Sequence, residues 1–298
     1  MKPESHDSHE WNIRNAPRSA TEDCASIAFS HNGAMKQPFL IRKKIRLKDF
    51  DPAFCGEEAK EATGERTADL CQRIGKLQEL LFANARRSVL ILFQGMDASG
   101  KDGAVKKVLE FVNPAGVETS NFKAPSAEEL AHDFLWRVHK AVPRFGNIGV
   151  FNRSHYEDVL VVRVLRLVPP EVWKGRYEQI NDFERMLAKN GVVVLKFFLH
   201  LSRDEQAERF QARLDDPRKN WKFSKGDLEM RRHWAEFQKA FEDMINRCST
   251  KHAPWYVVPA DRKWYRDYVI AQAVVERLEA LDMKWPKPKE DLSRIKIV

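Results

Sequence analysis

Cysteine is scarce in this sequence. Cys24, Cys55, Cys71 and Cys248 are scattered, and no two form a Cys-x-x-Cys pair. That spacing excludes a disulfide framework and the common zinc patterns, leaving free thiols in a reducing compartment as the expectation. Long apolar runs are also missing. The longest, Val192–Leu199, is broken by Lys196 and falls far short of the ~20 residues a membrane span needs. Met1 to Ala20 is polar and carries no apolar run, so it does not read as a signal peptide. The chain is expected to be cytoplasmic and free of membrane. No repeat at a fixed period is visible.

What is present suits one large core. Of 298 residues, 43% are hydrophobic, and an α/β domain of roughly 250 residues is an ordinary single unit. Lys and Arg number 51 against 43 Asp and Glu, a formal charge of +8. A basic surface attracts polyanions such as nucleic acid, inorganic phosphate chains or acidic membranes. It fits an ordinary soluble surface equally well.

Residues 1–37 are rich in Ser, His, Asn and Glu without sustained period and read as a flexible N-terminal arm. Leu70, Ile74, Leu77, Leu80 and Leu81 recur at helical spacing within 60–87. Buried strands are predicted at 88–93, 147–151, 192–199 and 255–259, with a shorter one at 117–120. Helices are predicted over 102–112, 127–142, 154–167, 177–189 and 264–281. Strands alternating with helices imply a parallel sheet covered on both faces. The body is set at 38–285, and 286–298, which includes Lys-Pro-Lys, as a C-terminal extension.

Chemistry enters at Gly95-Met-Asp-Ala-Ser-Gly-Lys101, where two glycines bracket four residues and lysine follows. This is P-loop spacing between a strand and a helix. Glycine lets backbone N–H groups turn inward on phosphate oxygens. The next helix offers its positive end, and Lys101 adds a charge for the outer phosphates. Gly95, Met96, Ala98, Ser99, Gly100, Asp102 and Gly103 are therefore expected to bind phosphate or nucleotide. A standard P-loop places a Ser or Thr hydroxyl after the lysine to hold magnesium; here Asp102 stands there. Either Asp102 organises the metal through water, or another carboxylate such as Asp97 does.

Ile148-Gly-Val-Phe-Asn152-Arg153-Ser154-His155-Tyr156-Glu157-Asp158 begins as a strand and turns polar. Carboxyl ends of parallel strands line the ligand crevice, which brings Asn152 and Arg153 beside the P-loop. A carboxylate on the next helix could orient the attacking phosphate or hold magnesium. Asp158 is favoured for that role; Glu157 reads as an acid at a helix start, and His155 as structural. Lys123, His132, Asp133, Arg137 and His139 could border an acceptor site. The stretch 203–232 gathers Arg209, Arg213, Arg218, Lys219 and Lys222 around Trp221. It is expected to be a helical lid supplying cations, although interleaved acids also fit a solvated helix with ordinary ion pairs.

These blocks together resemble the family-2 polyphosphate kinases. The resemblance runs through Gln94-Gly-Met-Asp97-Ala-Ser-Gly-Lys101-Asp-Gly103, Asn121-Phe-Lys-Ala-Pro-Ser126, Leu130-Ala-His-Asp-Phe-Leu-Trp-Arg137, Phe151-Asn-Arg-Ser-His-Tyr-Glu-Asp-Val-Leu160 and Asp215-Asp-Pro-Arg-Lys-Asn-Trp-Lys222. It implies a three-layer P-loop kinase-like fold with a helical lid, and phosphate transfer between inorganic polyphosphate and nucleotides. It implies Asp97, Lys101, Arg153 and Asp158 as catalytic residues, Asp97 and Asp158 as ligands of Mg2+ or Mn2+, and a lid running from Arg213 onward. The form at 152–158 resembles the subgroup acting on both nucleoside mono- and diphosphates. A homodimer or homotetramer is implied as well. Two rivals stay open: an ATP-dependent nucleoside monophosphate kinase, and a basic P-loop protein binding nucleic acid without catalysis. Interleaved acids and the lack of a separate basic tail argue against the second.

Overall fold

Seven consecutive buried residues, Ser88–Gln94, form the central strand β1 of a computed structural model. The model describes residues 39–288, 290–292, 295 and 297. These lie in the unit Pro38–Val298; the expected arm over 1–37 lies outside the described residues.

β1 pairs in parallel with β3 (Ile148–Asn152) and with β4 (Val192–His200). β2 (Val117–Asn121) flanks β3, and β5 (Trp255–Pro259) flanks β4, giving the order β2-β3-β1-β4-β5. The far edge of β5 is covered. Ile41 N–H donates to Trp255 O (2.8 Å) and Val257 N–H to Phe39 O (2.8 Å). This capping removes one exposed strand edge.

Both faces of the sheet are packed, which is why its strands read as continuous apolar runs. On one side α1 (Lys60–Asn84), α2 (Lys101–Val108) and α10 (Lys263–Glu279) pack together. On the other are α5 (Glu157–Val164), α6 (Pro170–Lys189) and α9 (Trp234–Cys248). The core there joins Leu90, Leu92, Phe151 and Phe198 to Leu160, Ile180, Phe241 and Ile245. The result is the three-layer α/β fold that the sequence implies.

Three elements depart from expectation. The helix predicted over 127–142 is two short pieces, α3 (Ala127–Leu130) and α4 (Trp136–Lys140). Asp133 divides them, its Oδ1 accepting from Leu135 N–H (2.9 Å) in a local turn that competes with helix. α6 starts at Pro170 rather than 177, because proline suits the first turn. α9 was not anticipated, yet it buries Phe237, Phe241, Met244, Ile245 and Cys248. α7 (Arg203–Asp215) and α8 (Lys225–Arg232) follow β4. Lys196, the break in the β4 run, is fully buried and donates to Glu184 Oε2 (2.6 Å), the Tyr156 hydroxyl oxygen (2.8 Å) and Cys248 O (2.7 Å).

Candidate active site

The loop between β1 and α2 sits where the strand order reverses, the usual crevice of such sheets. Gly95 crosses close to β4: a Cβ there would meet Leu199 O at 2.8 Å. Gly100, with φ +96, caps α2, and a Cβ on it would fall inside the Arg266 guanidinium. Glycine is required at both positions. Ala98 also takes a left-handed backbone, φ +63. Met96 packs its side chain into the core, so it offers the site only its backbone. Ser99 is buried with its Oγ unpartnered. Gly103 is exposed near Arg266. Lys101 folds back, Nζ donating to Gly95 O (2.8 Å) and Met96 O (3.2 Å). Burial pulls its pKa below the ordinary lysine value, with the charge of Asp97 opposing.

Arg153 leaves β3 with φ +62. Its N–H donates to Phe93 O (3.2 Å), and Nη2 donates to Asp97 Oδ1 at 2.6 Å. Burial would lower the arginine pKa, but Asp97 and Glu157 outweigh it and the guanidinium is held charged. Asn152 Nδ2 donates to Asp102 Oδ1, tying α2 to β3. Glu157 faces this same group. Burial raises its pKa against the pull of Arg153 and Lys101, and its side chain bonds Gln94. Asp227, on α8, also senses the loop: burial first, then the negative charge of Asp97, raises its pKa.

Asp158 stands in a separate cluster. Its carboxylate lies 3.2 Å from Arg176 and 3.7 Å from Arg137. Burial raises its pKa while those two arginines oppose the rise. Arg137 Nη1 also donates to Lys123 O (2.9 Å) and lies 3.4 Å from Glu129; the Lys123 side chain is exposed. The two acids expected to share a metal thus belong to different ion-pair networks. Among the described residues, no three His, Cys, Asp or Glu side chains converge as a metal site. Asp97 fits Mg2+ in that Arg153 engages one carboxylate oxygen and this ion commonly uses one or two carboxylates plus substrate phosphates.

Of the basic residues expected to bind polyphosphate, Arg209 is corrected. It is 8% exposed, and its guanidinium is occupied by Glu205 and by four backbone carbonyls, so it has no free donor for phosphate. Arg213 turns inward, donating to Lys222 O (3.1 Å) and lying 3.4 Å from Asp227. Arg218 and Lys219 are exposed and share Asp216, whose pKa they pull down to about 2. Lys222 lies over the Trp221 ring at 5.0 Å, and that tryptophan is 78% exposed.

Four residues of this assembly escape sequence reasoning: Glu157, Asp227, Arg266 and Gln206, whose Nε2 donates to Asp97 O (2.8 Å). Glu157 is the one with a local signal, since it lies in the same strand-end motif as Arg153. The others arrive from distant elements through packing.

A glycine-shaped loop closed by a buried lysine, beside a strand-end arginine on a parallel sheet, defines a P-loop kinase-like protein. The family model described as polyphosphate kinase 2 matches residues 57–286, and the chain belongs to that family. It is 52% identical over 258 residues to a Meiothermus ruber protein named AMP/ADP-polyphosphate phosphotransferase, covering 85% of this chain and 96% of that one. It is 46% identical over 242 residues to the ADP-polyphosphate phosphotransferase of Rhodopseudomonas palustris, covering 77% and 84%. The crystal structure of polyphosphate kinase 2 from Arthrobacter aurescens TC1 superposes with a TM-score of 0.84 at 39% identity, over 86% of this chain and 92% of that one.

Proposed function

We propose that the protein transfers terminal phosphoryl groups between inorganic polyphosphate and nucleoside mono- or diphosphates. The observation carrying this is the charge arrangement at the ends of β1 and β3: an amide loop, Lys101, and an Arg153 locked on Asp97. The likeness to the Meiothermus ruber protein supports both acceptor classes.

In the forward direction, an oxygen of the nucleotide's terminal phosphate attacks the end phosphorus of the chain. The bond from that phosphorus to its bridging oxygen breaks, and the chain leaves one unit shorter. The attacking oxygen is already anionic near neutral pH, so no strong general base is required. Catalysis is then positioning and charge neutralisation. Loop amides and Lys101 hold phosphate oxygens, and Arg153 presents a planar fork to the transferring group. Asp97 would hold the metal, which would supply charge neutralisation for the transferring phosphoryl group. Residues 216–230, beyond α7, include no buried residue. With little anchoring it suits a lid that opens and closes, bringing Arg218, Lys219 and Lys222 to the chain.

Free thiols at Cys55, Cys71 and Cys248 support a cytoplasmic setting. No helix among the described residues is long and apolar enough to cross a membrane. Assembly as a homodimer or homotetramer belongs to the same reading and is read by light scattering.

A donor swap tests the proposal. AMP or ADP is supplied with polyphosphate and magnesium, without ATP, and nucleotide products are resolved by chromatography. Product from both acceptors is expected, and Lys101→Ala should lower the rate at least about 10³-fold with an unchanged circular-dichroism spectrum. No product with either acceptor, or turnover with ATP as the sole competent donor, refutes it.

A further inference from the structure

Every carbonyl from Gly95 to Ser99 has a side-chain partner. Lys101 takes those of Gly95 and Met96. The next three belong to α7. Gln206 Nε2 donates to Asp97 O at 2.8 Å, and Arg209 Nη1 donates to Ala98 O at 2.9 Å and Ser99 O at 3.1 Å. The remaining Arg209 donors are equally committed: Nη2 to Ala260 O (2.7 Å) and Asp261 O (3.0 Å), Nε to Glu205 Oε1 (2.7 Å). A guanidinium has five N–H groups, and all five are matched. Gln206 is itself fully buried, with Oε1 accepting from Arg231 (2.8 Å).

A trans peptide directs its N–H opposite its C=O. Drawing the carbonyls of Asp97 and Ser99 onto α7 therefore turns the amides of Ala98 and Gly100 away from it. The Ser99 amide is used by Met96 O (3.1 Å). Ala98 carries a left-handed φ that a non-glycine residue adopts only when its surroundings enforce it. Its carbonyl bond to Arg209 supplies that constraint. Beneath the same loop Arg266, 2% exposed, occupies the space a side chain on Gly100 would need. The segment beyond Phe210 is different: from 211 to 230 no residue is buried.

We infer that Arg209 and Gln206 are positioning residues that set the shape of the phosphate cradle before substrate arrives. α7 is thus the fixed back wall of the cradle, and the movable lid begins at Asp216-Pro217. The inference goes beyond the proposed function, and only its kinetic arm rests on that function.

The test uses the full chain with Gln206→Leu, Arg209→Met and Arg209→Lys, and exposed Arg232→Ala as a control for exchange. Amide hydrogen exchange of peptides covering 95–101 is measured first. Gln206→Leu should speed exchange about fivefold and Arg209→Met more, with Arg232→Ala unchanged. Steady-state kinetics follow. A cradle out of place by about 1 Å can cost about 10²-fold in rate, so Arg209→Met should lower kcat by about that factor. Gln206→Leu should lower it about tenfold, with nucleotide KM within twofold, and Arg209→Lys should recover part of the loss. If Arg209→Met fails to fold, Gln206→Leu, which removes the bond to Asp97 O and the one accepted from Arg231 but leaves the guanidinium of Arg209 in place, carries the test. Unchanged exchange in Gln206→Leu overturns the inference. So does a loss confined to KM for polyphosphate, which would make these residues ligand contacts. If the wild type transfers no phosphate from polyphosphate, the functional reading falls, while the exchange experiment still decides the role of α7.

Discussion

Replacing Lys196 with methionine should destabilise the protein severely, although the position lies in the middle of an apolar strand. Lys196 and Glu184 are both fully buried, 2.6 Å apart. The ammonium matches its three protons to Glu184, Tyr156 and Cys248 O. Lys196→Met leaves Glu184 with one strong donor, the Tyr156 hydroxyl at 2.8 Å, and His155 at 3.3 Å. Breaking a buried pair by removing one partner costs about 3–5 kcal/mol, because the other charge stays buried. At about 2–4 °C per kcal/mol for a domain near this size, the melting temperature should fall by about 6–20 °C. Glu184→Gln in the Lys196→Met background should regain part of the loss, and a double-mutant cycle in urea should give a coupling near the upper end of the usual ~0.5–3 kcal/mol. The pH dependence supplies a sign. Burial alone would raise the Glu184 pKa, but Lys196 and His155 together outweigh it and the pKa is lowered. A lowered acid stabilises the fold above its unfolded value, near 4.3, and that contribution is lost as pH falls through the folded value. In Lys196→Met the carboxyl loses its cation, so the stability gap to wild type should narrow in acid. A loss below about 1 kcal/mol, or additive single and double changes, would refute the reasoning. Because Tyr156 and His155 belong to the turn carrying Arg153 and Glu157, kcat should fall as well.

Two further outcomes are expected. Gly100→Ala combines backbone strain of about 1–3 kcal/mol with a clash against Arg266; it should lower the urea midpoint and weaken calorimetric binding of tripolyphosphate, and wild-type values for both would refute the assignment of the loop. Burial lowers the His200 pKa, against its bond to Phe50 O, so its stabilising contribution is present above about pH 6.5 and lost as pH falls toward the folded value. His200→Gln should flatten the urea-midpoint profile over that window, and an unchanged profile would contradict it.

The parts of the site legible in the sequence are those whose chemistry is local. The Gly95–Lys101 spacing and the polar turn after β3 each identify a strand end, and parallel topology brings strand ends together. Charge alone misleads where burial decides. Arg209 and Arg218 look alike in a basic run, yet one is sealed behind the loop and the other is 88% exposed at its side chain. Glu157 and Asp158 are adjacent, so a helix sends them to different clusters, and sequence gives no way to choose. Asp227 and Gln206 meet the loop only through the folding back of α7 and α8. The helix α9 has a plain period at Phe237, Phe241, Met244 and Ile245, but it directly follows a charged stretch that blurs its start.

The contacts of Lys101 with its own loop act as a threshold on what can enter. Two of that ammonium's three protons are given to Gly95 O and Met96 O, so a phosphate meets one free donor unless those bonds are exchanged. A lone orthophosphate gains few contacts in exchange, whereas a chain of phosphates gains contacts along its whole length. A resting loop that already holds its own lysine therefore offers a small anion less to gain than a ligand reaching several donors at once.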